Sequence, residues 1–411
     1  MQYILKAPTL LEGSIKLPAS KSISNRALIL NALAGNRGQN NLLENLADCD
    51  DTNVLMKALS FQSDKMDIGA AGTAMRFLTA FLAVYQGLWE ITGSQRMKNR
   101  PIKILVDALN QLGAKIEYLE NEGFPPLKIY GHQLIGGDID IDGGISSQYL
   151  SALMMLAPTM QKGLRLTIQG ELISSPYIKM TLEMMRQYGV QSEWSDKHID
   201  IRPQPYRAIR FQVESDWSGA SYWYQMLSLA KEGSILLKGL FQESMQGDSR
   251  IATWFEDLGV HTSYLEDGVK LTKTDQKIQV FQADFTDQPD LAQTVAVTCA
   301  LKGIHFRLDG LQSLKIKETD RIQALINESR KIGFIFNEKE DSILEWNGEC
   351  CKPNPEEAID TYEDHRMAMA FAPAALIIGT IRINHPEVVS KSYPSYWEDL
   401  KSCGFIIEPA E

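Results

Sequence analysis

The chain has 411 residues, 44% hydrophobic and 23% charged, with a formal net charge of −11 at pH 7. This length predicts two domains, and the acidic balance disfavours a general nucleic-acid or anionic-membrane binder, because such proteins carry basic surfaces. Without a membrane-spanning apolar run or a signal-peptide pattern, we expect a cytoplasmic protein. The five cysteines are scattered with no CxxC pair, which fits a reducing compartment and predicts no zinc site.

Six segments along the chain share one pattern, a small polar start followed by a nearly all-apolar stretch. A Ser, Thr or Asp near each start can cap a helix, and an apolar surface all round is typical of a helix buried inside a domain. After a first gap of about 50 residues the segments recur roughly every 70 residues, which indicates repeated supersecondary units. The segments are 20–33, 70–84, 145–158, 217–230, 288–301 and 362–376.

The stretches between these segments predict the rest of the repeated unit. Residues 102–114 and 177–190 have the spacing of amphipathic helices, and the β-branched runs LRLTIQG and SILLKGL predict strands. The fold class is therefore α/β (α+β), with three units in each of two similar domains. We predict one domain from residues 1–19 plus 217–411 and the other from 20–216, with the N-terminal residues joining the C-terminal half as a strand.

The first buried segment begins SKSISNRA and carries two cations where a helix already has a partial positive charge. Ser22 and Arg26 are four residues apart and share a helix face, while Lys21 lies at the helix start. Backbone N–H groups, a hydroxyl and two cations together favour a phosphate or carboxylate ligand. The alternative is a solvated, salt-bridged helix end.

Two further stretches of the first half favour an anionic ligand. The glycine-rich turn at Gly72 lets backbone amides approach a ligand closely, although a plain helix cap explains it equally well. Arg100 precedes Pro101, so its backbone is extended and its side chain can point away from the next helix.

Polar side chains also cluster at two later helix starts. Ser146, Ser147 and Gln148 are consecutive and suit a polyhydroxylated or phosphorylated ligand, since capping needs only one of them. Ser174 and Tyr177 in SSPY form a weaker cluster, which a simple turn also explains.

In the second half, KIKETDR places Lys317 and Arg321 four residues apart on one predicted helix face, with Glu318 beside Lys317. A salt-bridged surface helix, with Asp320 pairing a neighbouring cation, explains this motif when it is taken alone.

Two more charged stretches follow. In YEDHRMAMAF, Asp364, His365 and Arg366 lead directly into an apolar helix, which is costly unless these charges are paired or liganded. Lys391 in SKSYPSYW is by itself a surface lysine.

Seven motifs together carry a resemblance to a known family. They run in order from residue 17 to 371: LPASKSISNRALIL, GTAMR, RMKNRP, SSQYLSAL, MQGD, KIKETDR and EDHRMAMAF. Over nearly its whole length the chain resembles the 5-enolpyruvylshikimate-3-phosphate (EPSP) synthases, and SKSISNRA with DHRMAM is the specific combination. The resemblance implies the enolpyruvyl transferase fold, with three βαβαββ units in each domain and an active site in an interdomain cleft that closes on substrate.

The resemblance also implies the reaction. Phosphoenolpyruvate donates its enolpyruvyl group to the 5-hydroxyl of shikimate 3-phosphate through a tetrahedral intermediate, and phosphate leaves; this is the sixth step of the shikimate pathway to chorismate and the aromatic amino acids. It implies neither a metal nor an organic cofactor, and it suggests a monomer. Glyphosate, which competes with phosphoenolpyruvate in this family, is an expected inhibitor because Gly72 leaves room in the pocket.

Site roles carry over motif by motif from the resemblance. The expected catalytic residues are Asp290 in QPDLAQT as the base, and either Glu318 or Lys21 as the proton donor. The residues expected to bind shikimate 3-phosphate are Ser22, Arg26, Ser146, Ser147, Gln148, Ser174, Tyr177, Asp290 and Lys317. Those expected to bind phosphoenolpyruvate are Lys21, Gly72, Arg100, Gln148, Lys317, Arg321, Arg366 and Lys391.

The chain departs from the family pattern at three positions. Ala70 stands where the family often has Asn, Phe77 where Pro often follows AMR, and Ser313 where some members have Asn. We therefore leave Ala70 and Ser313 out of the expected site. None of these departures changes an expected acid, base or cation.

Two alternatives remain at this stage. A UDP-N-acetylglucosamine enolpyruvyl transferase would share the fold, but that family usually has a reactive Cys or Asp on a loop, and this chain has no Cys between Cys49 and Cys299. A non-catalytic anion-binding relative would be expected to lose Asp290 or Glu318, and both are present.

Overall fold

The structure, a computed structural model, describes residues 1–144, 146–354 and 356–410. Ile145, the first residue of one predicted segment, and Glu411, the last residue of a predicted domain, lie outside the described residues. The chain forms two compact units: Met1–Pro18 with Glu214–Glu411, here called the split unit, and Ala19–Val213, the continuous unit. The chain crosses between them within three residues of the predicted crossings.

The strands are numbered in chain order. They are β1 (Gln2–Lys6), β2 (Leu11–Lys16), β3 (Leu43–Glu44), β4 (Lys65–Asp67), β5 (Gly87–Thr92), β6 (Lys115–Tyr118), β7 (Leu127–Gly131), β8 (Gly137–Asp142), β9 (Leu164–Gln169), β10 (Glu193–Ser195), β11 (His198–Ile201), β12 (Phe211–Gln212), β13 (Gly233–Lys238), β14 (Val260–Leu265), β15 (Gly268–Lys273), β16 (Val280–Asp284), β17 (His305–Asp309), β18 (Asn337–Lys339), β19 (Ile343–Trp346), β20 (Thr380–Asn384) and β21 (Ile406–Pro409).

The α-helices are numbered in the same way. They are α1 (Lys21–Asn31), α2 (Asp50–Leu59), α3 (Gly72–Val84), α4 (Lys103–Gln111), α5 (Ser147–Leu156), α6 (Ser175–Gln187), α7 (Trp217–Leu229), α8 (Ile251–Asp257), α9 (Ala292–Leu301), α10 (Arg321–Lys331), α11 (His365–Phe371), α12 (Ala375–Ile378) and α13 (Tyr396–Ser402). In the parts of the chain that the structure describes, no helix is both long enough and apolar enough to cross a membrane.

The split unit contains two complete βαβαββ repeats, β2-α7-β13-α8-β14-β15 and β16-α9-β17-α10-β18-β19. In each repeat the first two strands pair in parallel and the fourth lies between the second and third. A third sheet has the order β20-β1-β21. There Ile359 forms a parallel bridge to Ile383, and β1 pairs antiparallel with both neighbours. The N-terminal strand thus takes the fourth position of a repeat whose other parts come from the C-terminus.

The continuous unit is built on the same plan. Its complete repeats are β4-α3-β5-α4-β6-β7 and β8-α5-β9-α6-β10-β11, with sheet orders β4-β5-β7-β6 and β10-β11-β9-β8. In the remaining repeat β12 pairs in parallel with β3, and β3 lies between α1 and α2 in the chain. The predicted fold class is confirmed, with the difference that two repeats are completed by strands from the far end of a unit's sequence.

The six predicted apolar segments form the central helices α1, α3, α5, α7, α9 and α11. Every residue of α7, α9 and α11 is buried. Two of their polar side chains bond to neighbouring central helices: Ser221 Oγ lies 3.1 Å from Thr294 Oγ1, and Gln225 donates to the carbonyl of Ala370 at 2.9 Å. The predicted amphipathic helices and strands are also confirmed, as α4, α6, β9 and β13.

Candidate active site

Three cationic side chains of the split unit lie next to the carboxylate of Asp290. This residue lies in the 3₁₀ turn Pro289–Leu291, directly before α9. Its two carboxylate oxygens accept hydrogen bonds of 2.8 Å each, one from Arg321 Nη1 and one from Arg366 Nη2. Lys317 Nζ lies 3.9 Å from Oδ1. The sequence predicted these four residues as site residues separately, and the structure brings them together.

These contacts fix the charge of Asp290. Burial by itself raises the pKa of the carboxyl, but Arg366, Lys317 and Arg321 outweigh burial and hold it well below its usual range. Burial also lowers the pKa of Lys317, which the charge of Asp290 opposes. Asp290 is therefore an anion throughout the physiological pH range.

Arg321 is the most heavily paired cation of this cluster. It begins α10 and is only 2% exposed. Besides Asp290, its guanidinium contacts Asp364 Oδ2 at 2.6 Å and Glu318 Oε2 at 2.8 Å. Asp364 is fully buried and caps α11 by accepting from the backbone N–H of Arg366 at 2.9 Å. Of the charged triplet that the sequence flagged as costly, Asp364 is thus paired with Arg321, and Arg366 is paired with Asp290.

Lys391 and Glu318 form a second contact beside Arg321. Lys391 Nζ lies 3.5 Å from Glu318 Oε1, and the two side chains are 15% and 14% exposed. Taken alone, the sequence around Lys391 indicates a surface lysine, and the structure buries most of this side chain against the expected proton donor. The expectation from the family resemblance, in which Lys391 is a site residue, agrees better with this position.

The expectation that Lys317 and Arg321 share one helix face was wrong. A 3₁₀ turn ends at Ile316, and α10 begins only at Arg321. Asp320 caps α10, because its Oδ1 accepts from the backbone N–H of Gln323 at 3.0 Å. Lys317 reaches Asp290 from the preceding loop.

In the continuous unit, Lys21 and Arg26 both lie on α1 but in different surroundings. Lys21 Nζ lies 3.6 Å from Asp51 Oδ2. Arg26 is 2% exposed and donates to Thr181 Oγ1 at 2.7 Å, to Ser151 Oγ at 2.9 Å and to the carbonyl of Ser22 at 2.9 Å. These bonds use three of its five N–H groups. Burial lowers the pKa of Arg26 to about 10, so it remains a cation.

Gly72 lies directly against an arginine pair. A Cβ atom added to Gly72 would be 2.6 Å from Arg100 Nη1 and 2.8 Å from Arg76 Nη1. Arg100 has the extended backbone that Pro101 predicts, with φ −92° and ψ 122°. The absent side chain therefore allows two guanidinium groups to approach the start of α3.

The remaining predicted residues of this unit lie at the starts of α5 and α6. Ser146 caps α5, and Gln148 Nε2 donates to Thr73 Oγ1 on α3 at 3.2 Å. Ser174 precedes α6 in a left-handed conformation, φ 56°. Tyr177 lies in the first turn of α6, with its ring 5.7 Å from the guanidinium carbon of Arg26.

The family model for EPSP synthase (3-phosphoshikimate 1-carboxyvinyltransferase) matches residues 5–61 and 59–400 of the chain. The chain belongs to the EPSP synthase family. A 3-phosphoshikimate 1-carboxyvinyltransferase of Bacteroides fragilis (strain YCH46) is 55% identical over 412 residues and covers 100% of both chains. One from Sulfurovum sp. (strain NBC37-1) is 39% identical over 427 residues, covering 97% of this chain and 98% of its own. A solved EPSP synthase structure from Acinetobacter baumannii, 19% identical with both chains fully covered, has the same fold with a TM-score of 0.78.

One buried acid near the cluster had no expected role. Asp248 ends the MQGD motif, which contributed to the EPSP synthase resemblance, and accepts a hydrogen bond from Ser218 at the start of α7. Burial, and then the charge of Asp290, raise the pKa of Asp248 to about 7. The available signal in the sequence was the MQGD motif, because it contributed to the family resemblance.

Proposed function

We propose that this chain transfers the enolpyruvyl group of phosphoenolpyruvate to the 5-hydroxyl of shikimate 3-phosphate and releases phosphate. The observation that carries this proposal is Asp290, an ionised carboxylate in contact with Arg321, Arg366 and Lys317. A reaction between two phosphorylated carboxylates needs cations to bind both anions and a base to take the hydroxyl proton. The curated relatives that match the full length carry the name of this activity.

We assign phosphoenolpyruvate binding to cations of both units. In the split unit these are Lys317, Arg321, Arg366 and Lys391. In the continuous unit Lys21 and Arg100 supply charge, Gly72 keeps the approach to Arg100 open, and Gln148 offers an amide. The convergence of the first four on Asp290 and Glu318 supports their assignment.

We assign the binding of shikimate 3-phosphate mainly to residues of the continuous unit. Hydroxyl, amide and cationic groups there match a phosphate, a carboxylate and ring hydroxyls. The assigned residues are Ser22, Arg26, Ser146, Ser147, Gln148, Ser174 and Tyr177, with Asp290 and Lys317 contributed by the split unit. The two unused N–H groups of Arg26 suit this role, although the buried position of Arg26 means that it also orders α1 against α5 and α6.

The proposed chemistry has two steps. In the first, Asp290 takes the proton of the 5-hydroxyl, the oxygen bonds to C2 of phosphoenolpyruvate, and Glu318 or Lys21 gives a proton to C3. In the second, the C2–O bond to phosphate breaks, C3 returns a proton, and the C2=C3 double bond forms again. Each acid or base group of this kind typically contributes about 10²–10⁴-fold.

The contacts of Asp290 also suggest how the base becomes effective. A carboxylate held by three cations is a weak base, because its pKa lies far below neutrality. When the anionic substrates draw Arg321, Arg366 and Lys317 towards their own phosphate and carboxylate groups, the electrostatic stabilisation of Asp290 falls. Its basicity then rises only when the substrates are bound.

The experiment that tests the function is phosphate release by the purified chain. We expect release from phosphoenolpyruvate when shikimate 3-phosphate is the acceptor, and none when UDP-N-acetylglucosamine replaces it. Release only with the nucleotide sugar would overturn the acceptor assignment, and binding without release with either acceptor would support a non-catalytic relative.

Substituting Gly72 by Ala should weaken the binding of both phosphoenolpyruvate and glyphosate. We propose that the wild-type chain is glyphosate-sensitive, because both ligands are small anions that need Arg100. The added methyl would contact two flexible guanidinium groups, so the fold should survive while the bound position of Arg100 shifts. We expect the KM for phosphoenolpyruvate and the inhibition constant of glyphosate to rise by roughly tenfold or more, since misplaced groups cost up to about a hundredfold.

Gly303 provides the matched control for this substitution. It has nothing within 4 Å of an added Cβ, so Gly303→Ala tests the effect of an alanine without a clash, although its positive φ of 70° adds backbone strain. Full wild-type activity at glyphosate concentrations far above the KM for phosphoenolpyruvate would refute the proposed sensitivity.

We also propose that the chain acts as a monomer in the cytoplasm on these small-molecule substrates. All five cysteines are free thiols, which fits a reducing compartment.

A further inference from the structure

Glu328 is a buried carboxylate on α10, about two helical turns after Arg321. Its Oε2 accepts from the backbone N–H of Asp360 at 2.9 Å and from Lys331 Nζ at 2.8 Å. Its Oε1 accepts from the hydroxyl of Tyr362 at 2.6 Å. Both oxygens of this carboxylate therefore bind one loop and one lysine of its own helix.

The loop that Glu328 binds has an unusual backbone. Tyr362 and Glu363 are consecutive and both left-handed, with φ 53° and 56°. Non-glycine residues avoid this conformation because of the Cβ atom, and it persists only where surrounding contacts enforce it. Burial, and then the Glu328 carboxylate, raise the pKa of Tyr362 to about 12, so its hydroxyl keeps the proton that it donates.

The start of the loop also has contacts that do not involve Glu328. The backbone N–H of Ile359 donates to Arg382 O at 2.8 Å on β20, and Asn384 Nδ2 donates to Asp360 Oδ1 at 2.7 Å. Lys331 Nζ lies 2.9 Å from the other oxygen of Asp360. Glu328 contacts the second part of the loop through Tyr362, one of the two left-handed residues.

The end of the loop leads directly into the Asp290 cluster. Asp364 follows Glu363, donates its N–H to the carbonyl of Thr361 at 2.8 Å, caps α11 and binds Arg321. Helix α10 therefore contacts the loop through Glu328 and Lys331, and it contacts Asp364, just after the loop, through Arg321 at its first residue.

We infer that Glu328 is a positioning residue for phosphoenolpyruvate, which holds the loop 360–363 so that Asp364 orients Arg321 and the start of α11 orients Arg366. The inference rests on the proposed function, because it needs both arginines to bind phosphoenolpyruvate. Glu328 itself lies outside the reacting groups and acts only through the loop.

The test is a double-mutant cycle with Glu328→Gln and Tyr362→Phe. Tyr362→Phe removes the hydroxyl of the bond, and Glu328→Gln removes the negative charge and one of the two acceptor oxygens that bind Tyr362, Asp360 and Lys331. We therefore expect each substitution to raise the KM for phosphoenolpyruvate by roughly tenfold, within the cost of a displaced binding group. The double variant should be no worse than the more damaging single variant, since the two share one contact. The affinity for shikimate 3-phosphate alone, measured by titration calorimetry, should be unchanged.

Glu345→Gln is the control for neutralising a buried carboxylate. Glu345 lies on β19 and is 7% exposed. It pairs with Lys339 at 2.6 Å and with Arg307 at 3.7 Å, and neither residue belongs to the loop 360–363. It should lower the Tm without raising the KM. If Glu328→Gln lowers the Tm but leaves the KM for phosphoenolpyruvate at the wild-type value, the positioning role is wrong and Glu328 is only structural.

The test still gives an answer if Glu328→Gln does not fold or if the wild-type chain is inactive. If Glu328→Gln does not fold, Tyr362→Phe keeps the carboxylate with its other bonds and carries the same KM prediction alone. If the wild-type chain itself fails to release phosphate, the proposed function fails, and that result is separate from any change between wild type and variant.

Discussion

Asp290→Asn should reduce kcat by about 10²–10⁴-fold, the usual contribution of a general base, while both substrates still bind. The amide cannot take the proton of the 5-hydroxyl, but it nearly preserves the volume of the carboxylate between Arg321 and Arg366. Because the variant no longer offers an internal anion to these cations, the affinity for phosphoenolpyruvate should be equal or higher. Steady-state phosphate release together with equilibrium binding of each substrate measures both effects.

Asp309→Asn is the control for this substitution. Asp309 ends β17 in the same unit, is paired with Arg307 at 2.8 Å, and has a side chain that is 40% exposed, so its loss should leave kcat unchanged. Normal turnover by Asp290→Asn would disprove the assignment of the base. Loss of binding along with turnover would instead make Asp290 an organiser of the cations.

Arg321→Gln should both destabilise the chain and prevent phosphoenolpyruvate binding. The guanidinium is 2% exposed and contacts Asp290, Glu318 and Asp364, of which Asp364 is completely buried. Removing one partner of a buried ion pair leaves an uncompensated charge and costs about 3–5 kcal/mol. Denaturant unfolding should show this loss in the free energy of unfolding.

Adding Asp364→Asn to Arg321→Gln separates the two effects. The second substitution removes the stranded charge, so we expect the double variant to recover much of the lost free energy of unfolding but none of the activity. A double variant no more stable than Arg321→Gln would show that the cost lies elsewhere than in Asp364. Arg307→Gln breaks a pair at a side chain that is 38% exposed, and it should cost no more than about 1 kcal/mol.

The repeated architecture could be predicted from the sequence because a fully buried helix has an apolar sequence on all its faces. Helices such as α7 and α9 are buried on every side, so their segments are apolar throughout and their recurrence reveals the units. Strand composition likewise predicts β9 and β13. The pattern does not show which strands pair with each other. The position of β1 between β20 and β21 was therefore found only in the structure.

Candidate site residues could be named one by one from the sequence, but their arrangement could not be predicted. Asp290, Arg321 and Arg366 are 31 to 76 positions apart, and no local rule places them in contact. Lys391 shows the same limit, because the serines beside it in the sequence give no sign of its contact with Glu318. The resemblance to the family supplied expected roles for these residues, which remain predictions until they are tested by substitution.

Glu328 illustrates a different limit. In the sequence it stands in NESRK, a polar run that indicates the solvent-facing side of an amphipathic helix. Its burial depends on a loop more than thirty residues later, whose backbone conformation leaves no signature in the residue types Tyr362 and Glu363.

The place of β1 in the sheet has a consequence for synthesis on the ribosome. Its partners β20 and β21 end at Asn384 and Pro409, so at about 5–20 residues per second they emerge roughly 20–80 s after it. The continuous unit, by contrast, is complete in the chain once Val213 has been made. The nascent protein should therefore fold its middle first and carry an unpaired N-terminal strand until translation is nearly finished, a period in which a strand edge invites wrong pairing or chaperone binding.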